Sequence, residues 1–182
     1  MLNFLKLAKQ KYIDNKDVDF GLDLIDFLCY CYINLNPCSY GGKIQAKLIK
    51  ELGILSISAS LDRGDAFFGK FFAEMKCTFL DKKNSYHLTH LRQWQNFDFY
   101  ILCFIDCEND FIPEFFVLNK KVLDKIKTTA MNGTKESNLN NDKVSLRATV
   151  KKNGEVHKMF KKKNKLSGTS FSDLKKFIDT LK

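Results

Sequence analysis

The sequence predicts a mixed α/β domain: a central mixed β-sheet flanked by helices. Three observations carry that expectation. Apolar residues recur at helical spacing in Phe20–Leu35 and again in Lys43–Leu52. Asp65–Phe79 holds two β-rich runs on either side of a Gly69-Lys70 pair. Phe97–Asp106 is a nearly continuous apolar run of strand length, as expected for a strand buried on both faces. The chain has 182 residues, of which 45% are hydrophobic and 28% charged, enough for one packed core and too short for two ordinary domains.

In chain order, residues 3–13 read as a short amphipathic helix. Phe20–Leu35, with Leu24, Phe27, Leu28 and Cys31 in step, reads as a core helix. Pro37 and Gly41-Gly42 read as punctuation. The next helix is expected over Lys43–Leu52, with Ile44, Leu48, Ile49 and Leu52 on one face and Gly53 as its stop. Ile54–Ser60 alternates like a strand, and the Phe-rich hairpin follows. Asn84–Gln95, with Leu88, Leu91 and Trp94 three apart, reads as a polar helix. Phe97–Asp106 and Phe111–Leu118 read as strands, the second marked by Pro113 as an edge or bulge. A short helix over Val122–Ala130, a polar loop over Asn132–Asp142 and a strand over Val144–Val150 come next. A terminal helix over Ser172–Leu181, capped by Ser170 or Ser172, ends the chain.

The net charge is +9, and it is unevenly placed. Residues 143–182 carry 12 Lys or Arg against three acids, while the first 142 residues are balanced. A basic stretch beside a neutral body points to an anionic partner, most often nucleic acid. The domain reading is therefore one unit over 1–182, with a catalytic core at about 40–118 and a basic nucleic-acid-binding part at about 131–182. No apolar run reaches the roughly 18 residues of a membrane span, and the first dozen residues lack the pattern of a signal peptide. A cytoplasmic protein is expected, without membrane contact. The six cysteines form no C-x-x-C, so buried reduced thiols are expected. Phosphate-binding glycine loops are absent, so no nucleotide cofactor is expected.

The hairpin carries the chemistry. With Gly69-Lys70 as a two-residue turn, Phe68 pairs with Phe71, Phe67 with Phe72 and Ala66 with Ala73, which sets Asp65 opposite Glu74. Lys76 shares that face, while Phe71, Ala73, Met75, Cys77 and Phe79 face a core. Opposed carboxylates repel, and a divalent cation between them removes the conflict; hard oxygen ligands suit Mg²⁺, which takes one or two carboxylates plus phosphate and water.

Asp65, eight residues, then Glu74-Met75-Lys76 resembles the signature of the restriction-endonuclease-like PD-(D/E)xK nuclease superfamily. The expected order of helix, strand, Asp-bearing strand, E-x-K strand, polar helix and strand over about residues 40–106 is similar too. The resemblance implies a restriction-endonuclease-like core, Asp65 and Glu74 as metal ligands, Lys76 as the catalytic lysine and Mg²⁺ as cofactor. Where the family often has Pro before the Asp, this chain has Gly64. The family's first helix often adds a Glu; Gln45 or Glu51 stands in that region. In similar nucleases the helix after the catalytic strand faces the DNA backbone, which draws in Arg92, Gln93 and Gln95. Lys135, Asn138, Lys143 and Arg147 are candidates for base readout. His87 and His90 receive no chemical role.

The expected function is a Mg²⁺-dependent, type II restriction enzyme-like endonuclease acting on double-stranded DNA. A homodimer is expected, because two strands need two sites; the N-terminal helices are the guess for its interface. A repair or recombination nuclease on the same fold, a non-catalytic nucleic-acid-binding module, and a protein-binding module are the alternatives.

Overall fold

The computed structural model describes residues 21–58, 61–135 and 144–182; the helix expected at 3–13 lies outside them. The chain forms α1 (Leu24–Asn34), α2 (Pro37–Leu52), β1 (Leu55–Ser56), β2 (Ala66–Phe68), β3 (Phe71–Phe79), β4 (Ser85–Leu91), β5 (Phe99–Ile105) and β6 (Pro113–Asn119). There follow α3 (Lys120–Leu123), β7 (Thr129–Lys135), β8 (Val144–Lys151), α4 (Glu155–Lys163) and α5 (Phe171–Leu181). This is a mixed α/β fold with a central mixed sheet in the order β1-β2-β3-β5-β6, beside a smaller sheet β4-β8-β7. In the central sheet β3 and β5 are parallel and the other pairs antiparallel.

β5 is the middle of the structure: all seven of its residues are buried. Period-2 alternation sends Phe99, Ile101, Cys103 and Ile105 into one core. There they meet Leu28 and Cys31 of α1, Ile44, Leu48 and Leu52 of α2, and Leu174 and Ile178 of α5. Tyr100, Leu102 and Phe104 enter a second core with Tyr86 and Leu88 of β4, Val150 of β8 and Phe160 of α4. The central sheet is therefore covered by helices on one face and by the smaller sheet with α4 on the other. β6 is the sheet's edge, with Pro113 at its first position. Its outer side is met by the loop after α4: Phe115 and Val117 donate to Thr169 O and Asn164 Oδ1, and Lys165 donates to Val117 O.

Several expectations need correction. Asn84–Gln95 is not a helix; Ser85–Leu91 is strand β4. The pairing with β8 shifts register between Leu88 and Leu91, where His90 has φ +52°. This bulge brings Leu88 and Leu91, three apart, to the same buried face, so a strand imitates helical spacing. α2 begins at Pro37 in its first turn, and Gly41-Gly42 lie inside it. Two helical glycines cost about 1 kcal/mol each relative to alanine, offset by the buried face of Ile44, Leu48 and Leu52. The helix at Val122–Ala130 is a single turn, Lys120–Leu123. Asn132–Lys135 belongs to β7, which pairs with β8, and residues 136–143 lie outside the described residues. Of the strand expected at Ile54–Ser60, Leu55–Ser56 forms among the described residues, and 59–60 lie outside them. Helix α4 escaped the sequence reading because only His157 and Phe160 of it are buried amid lysines. α5 starts where expected, with Ser170 as cap: its Oγ accepts from Asp173 N–H, and Asp173 Oδ2 accepts from Ser170 N–H. No helix of the described residues is long and apolar enough to cross a membrane.

The β2–β3 turn forms as the sequence predicts, with Phe68 opposite Phe71. Gly69 has φ +59°, and a Cβ there would overlap the Leu181 carbonyl oxygen at the end of α5. Gly69→Ala must both adopt a left-handed backbone and displace α5. The expected loss is about 2 kcal/mol or more in urea unfolding; an unchanged midpoint would show that the turn does not bear on α5.

Candidate active site

The hairpin delivers Asp65, Glu74 and Lys76 to one place. β2 pairs with β3 only from Ala66 to Phe68. Asp65 extends the ladder by one residue: its N–H donates to Ala73 O at 2.8 Å and its carbonyl accepts from Ile57 N–H at 3.0 Å. Its carboxylate then does what a further residue of β2 would do, with Oδ2 accepting from Met75 N–H at 2.9 Å. Gly64 explains the missing proline. It has φ +84°, closed to a proline ring, and a Cβ would lie 2.6 Å from Ala73 O. The close approach that seats Asp65 thus requires glycine.

Glu74 is 2% exposed, and its Oε1 lies 2.5 Å from Lys76 Nζ. Its register partner on β5 is Tyr100, also buried, with a hydroxyl that has no hydrogen-bond partner among the described residues. Burial pushes the Glu74 carboxyl up to about 7; Lys76 opposes the rise, and the neighbouring Asp65 carboxylate adds to it. Burial and the Glu74 charge also raise the Tyr100 phenol. A buried acid that shares its one close cation with a second carboxylate is a site that gains from a hard cation. Among the described residues no group of three or more His, Cys, Asp or Glu is placed to hold a metal. Asp65 and Glu74 supply two carboxylates, the donor set from which Mg²⁺ makes a site with water and phosphate.

Lys76 also lines a groove of about 760 Å³ between α2 and the start of the smaller sheet, reached by neither Asp65 nor Glu74. Gln45 of α2 lines it as well, whereas Glu51 is tied to Lys47 at 2.9 Å and lies outside it. The other expected contacts that are described fall on several elements. Arg92 and Gln93 are half-buried in the turn after β4. Gln95 is 3% exposed, with its backbone carbonyl accepting from Lys120 Nζ, so it is a packing residue and does not face solvent. Lys135 is on β7, and Asn138 and Lys143 fall outside the described residues. Arg147 is exposed on β8, its Nε donating to Thr129 Oγ1 at 3.1 Å.

The sequence reading missed the groove. Tyr32 and Tyr40 on one wall, and Lys82, His87 and His90 on the other, line it with Lys76. His87 is oriented: its Nε2 lies 2.8 Å from Asp81 Oδ2, while Asp81 Oδ1 accepts from Lys83 and Ser85 N–H at 2.8 Å each. Polar Asp-x₅-His spacing across a tight turn was the available signal, but only the fold shows what it faces.

Glu74 makes stability depend on pH. Below about 4.5 it is protonated folded and unfolded, and costs nothing. Between 4.5 and about 7 the unfolded chain releases the proton and the folded chain keeps it, so stability falls as pH rises. Above about 7 the full cost is on the order of 3 kcal/mol. Urea unfolding across this range without divalent metal is expected to show that fall in the wild type and a flatter profile in Glu74→Gln. Mg²⁺ is expected to restore stability at pH 8 only in the wild type. Parallel profiles would mean that Glu74 is not held against its charge.

No known family model matches the chain, and comparison with curated protein sequences gives no significant match.

Proposed function

We propose that this protein is a Mg²⁺-dependent endodeoxyribonuclease of the restriction-endonuclease-like kind. One observation carries the reading: a buried glutamate ion-paired to a lysine two residues on, facing an aspartate pinned across a hairpin. Ordinary surface ion pairs are exposed and worth about 1 kcal/mol or less; Glu74 is neither exposed nor cheaply ionised. Such a cost points to function in preference to stability.

Asp65 and Glu74 would hold the metal, which supplies polarisation of the phosphoryl group and acidification of water. Lys76 orients the attacking water and offsets charge gathering on the phosphorus oxygens. The water oxygen forms a bond to phosphorus and releases a proton to solvent, the bond to the leaving oxygen breaks, and a proton passes to that oxygen from solvent. Met75 N–H fixes Asp65, so one ligand is positioned by main chain and the other by packing. A homodimer acting on duplex DNA in the cytoplasm belongs to this proposal, and a repair or recombination nuclease is its near variant.

A non-catalytic nucleic-acid-binding module is the second reading, favoured by the exposed lysines of α4 and α5, among them Lys162, Lys163, Lys175 and Lys176.

Asp65→Ala and Lys76→Ala are expected to lower Mg²⁺-dependent plasmid cleavage by at least about 100-fold while DNA binding persists, and chelation is expected to abolish cleavage. A purified protein that cleaves no DNA with Mg²⁺ would leave the second reading. Neutralising Lys162 and Lys163 with glutamine is expected to weaken binding and lower its salt slope by up to about 2. Binding by the parent that ignores salt would count against both readings.

A further inference from the structure

The groove beside Lys76 has an unusual floor. On one side β3 pairs with β5 from Ala73 through Phe79. On the other it pairs with β2 only as far as Ala73, and Asp65 supplies the bonds to Ala73 O and Met75 N–H. Beyond Met75 no strand among the described residues pairs with this edge. Backbone groups of alternate residues point the same way, so those of Cys77 face where those of Ala73 and Met75 face, into the groove that Met75, Cys77 and Phe79 line. An open edge invites pairing, and proteins usually block it. Here the Asp65 carboxylate engages its beginning and the Tyr40 hydroxyl meets the Phe79 backbone at its end, which leaves the groups around Cys77 open between them.

The walls say what the edge would accept. Lys82 brings exposed positive charge; Lys76 is shared with Glu74, and the one acid on the wall, Asp81, is engaged by His87. His90 reaches the groove from a left-handed bulge, its N–H donating to Met131 Sδ. Tyr32 is 47% exposed, with its ring braced by Phe79 at 5.1 Å and Phe111 at 5.4 Å between centroids. Cations along a backbone path with a braced aromatic face are the features of single-strand recognition. An extended peptide would find only the groups around Cys77 left to pair with, too short a ladder to hold it. The groove, at about 760 Å³, has room for a short run of unpaired nucleotides and not for a duplex.

We propose that the groove seats one unpaired strand of nucleic acid along the open edge of β3, with phosphates toward Lys76 and Lys82 and a base against Tyr32. That this strand leads to Asp65 and Glu74 for cutting rests on the nuclease reading; the ligand class does not. The partner is thereby narrowed from duplex DNA to DNA with an unpaired segment.

Fluorescence anisotropy of the full chain in chelator, with an oligothymidylate of about 12 nucleotides and a blunt duplex of equal length, tests this. Expected are at least tenfold tighter binding of the single strand, and a loss of five- to tenfold or more of that binding in Tyr32→Ala and in Lys82→Glu. Circular dichroism checks that both variants are folded. Equal affinity for duplex, unchanged binding in both variants, or equal competition by polyglutamate would overturn the proposal, the last by showing charge alone. Single-strand binding without Mg²⁺-dependent cleavage would keep the groove and remove the nuclease. Cleavage of intact duplex with no single-strand preference would do the reverse.

Discussion

Glu74 sits 2% exposed in the wall between two cores, and a carboxylate in such a place cannot be left alone. Lys76, two residues along the same strand, is its counter-charge at 2.5 Å. The rest of the local architecture follows from where these two must stand. Strand alternation puts Met75 into the helical core and keeps Glu74 and Lys76 on the other face. β5 lies parallel against that strand, with Tyr100 beside Glu74 and Leu102 beside Lys76, so water is shut out from one side. β2 must stop short, because a longer β2 would displace the Asp65 carboxylate from Met75 N–H. Gly64 is what lets it stop there. One buried charge therefore fixes a glycine, the length of a strand and the open edge beyond it.

The parts of this arrangement legible in the sequence are those set by short-range geometry. A Gly-Lys turn between Phe runs fixes register, and register places Asp65 against Glu74. The buried character of β5 is equally plain, since a strand covered on both faces has no polar face to show. What stayed hidden is where one pattern imitates another. Leu88 and Leu91 share a face through a bulge at His90, and nothing in their spacing distinguishes that from a helical turn. Gly41-Gly42 reads as a break, yet α2 continues through it because one buried face of Ile44 and Leu48 outweighs the local propensity. The groove was invisible for a different reason: its walls come from α1, α2, β3, β4 and β7, and it exists only when the smaller sheet docks.

The excess charge of residues 143–182 also changes meaning in three dimensions. This stretch is not a detachable tail. β8 is the middle strand of the smaller sheet, and α5 places Leu174 and Ile178 in the helical core. Part of its positive charge is spent on the fold: Lys152 meets Asp106 at 2.5 Å, Lys161 meets Glu114 at 2.9 Å, and Lys182 bonds Leu52 O and Asp179. Buried His157 faces the same Glu114, with Nε2 3.0 Å from Oε2, while its Nδ1 accepts from Asn153 N–H. Its hydrogen bond, with Lys161, holds the Glu114 carboxyl down to about 2. A formal count of +9 thus overstates what an anionic ligand meets.

Two left-handed backbone positions flank the β3 edge. Gly64 closes against Ala73 at one end of the β3 edge, and His90 takes a left-handed turn on the far wall. The first is free of strain in glycine and admits no side chain, whereas the second costs on the order of 1 kcal/mol or more. His90 lines the groove, and its strain would not be retained by selection for stability alone, given that stability margins are small. The buried Glu74 charge is a second cost nearby. Two such costs lie within one hairpin and its facing strand. They fit a site whose destabilising features are balanced elsewhere, chiefly by the two cores that close on β5.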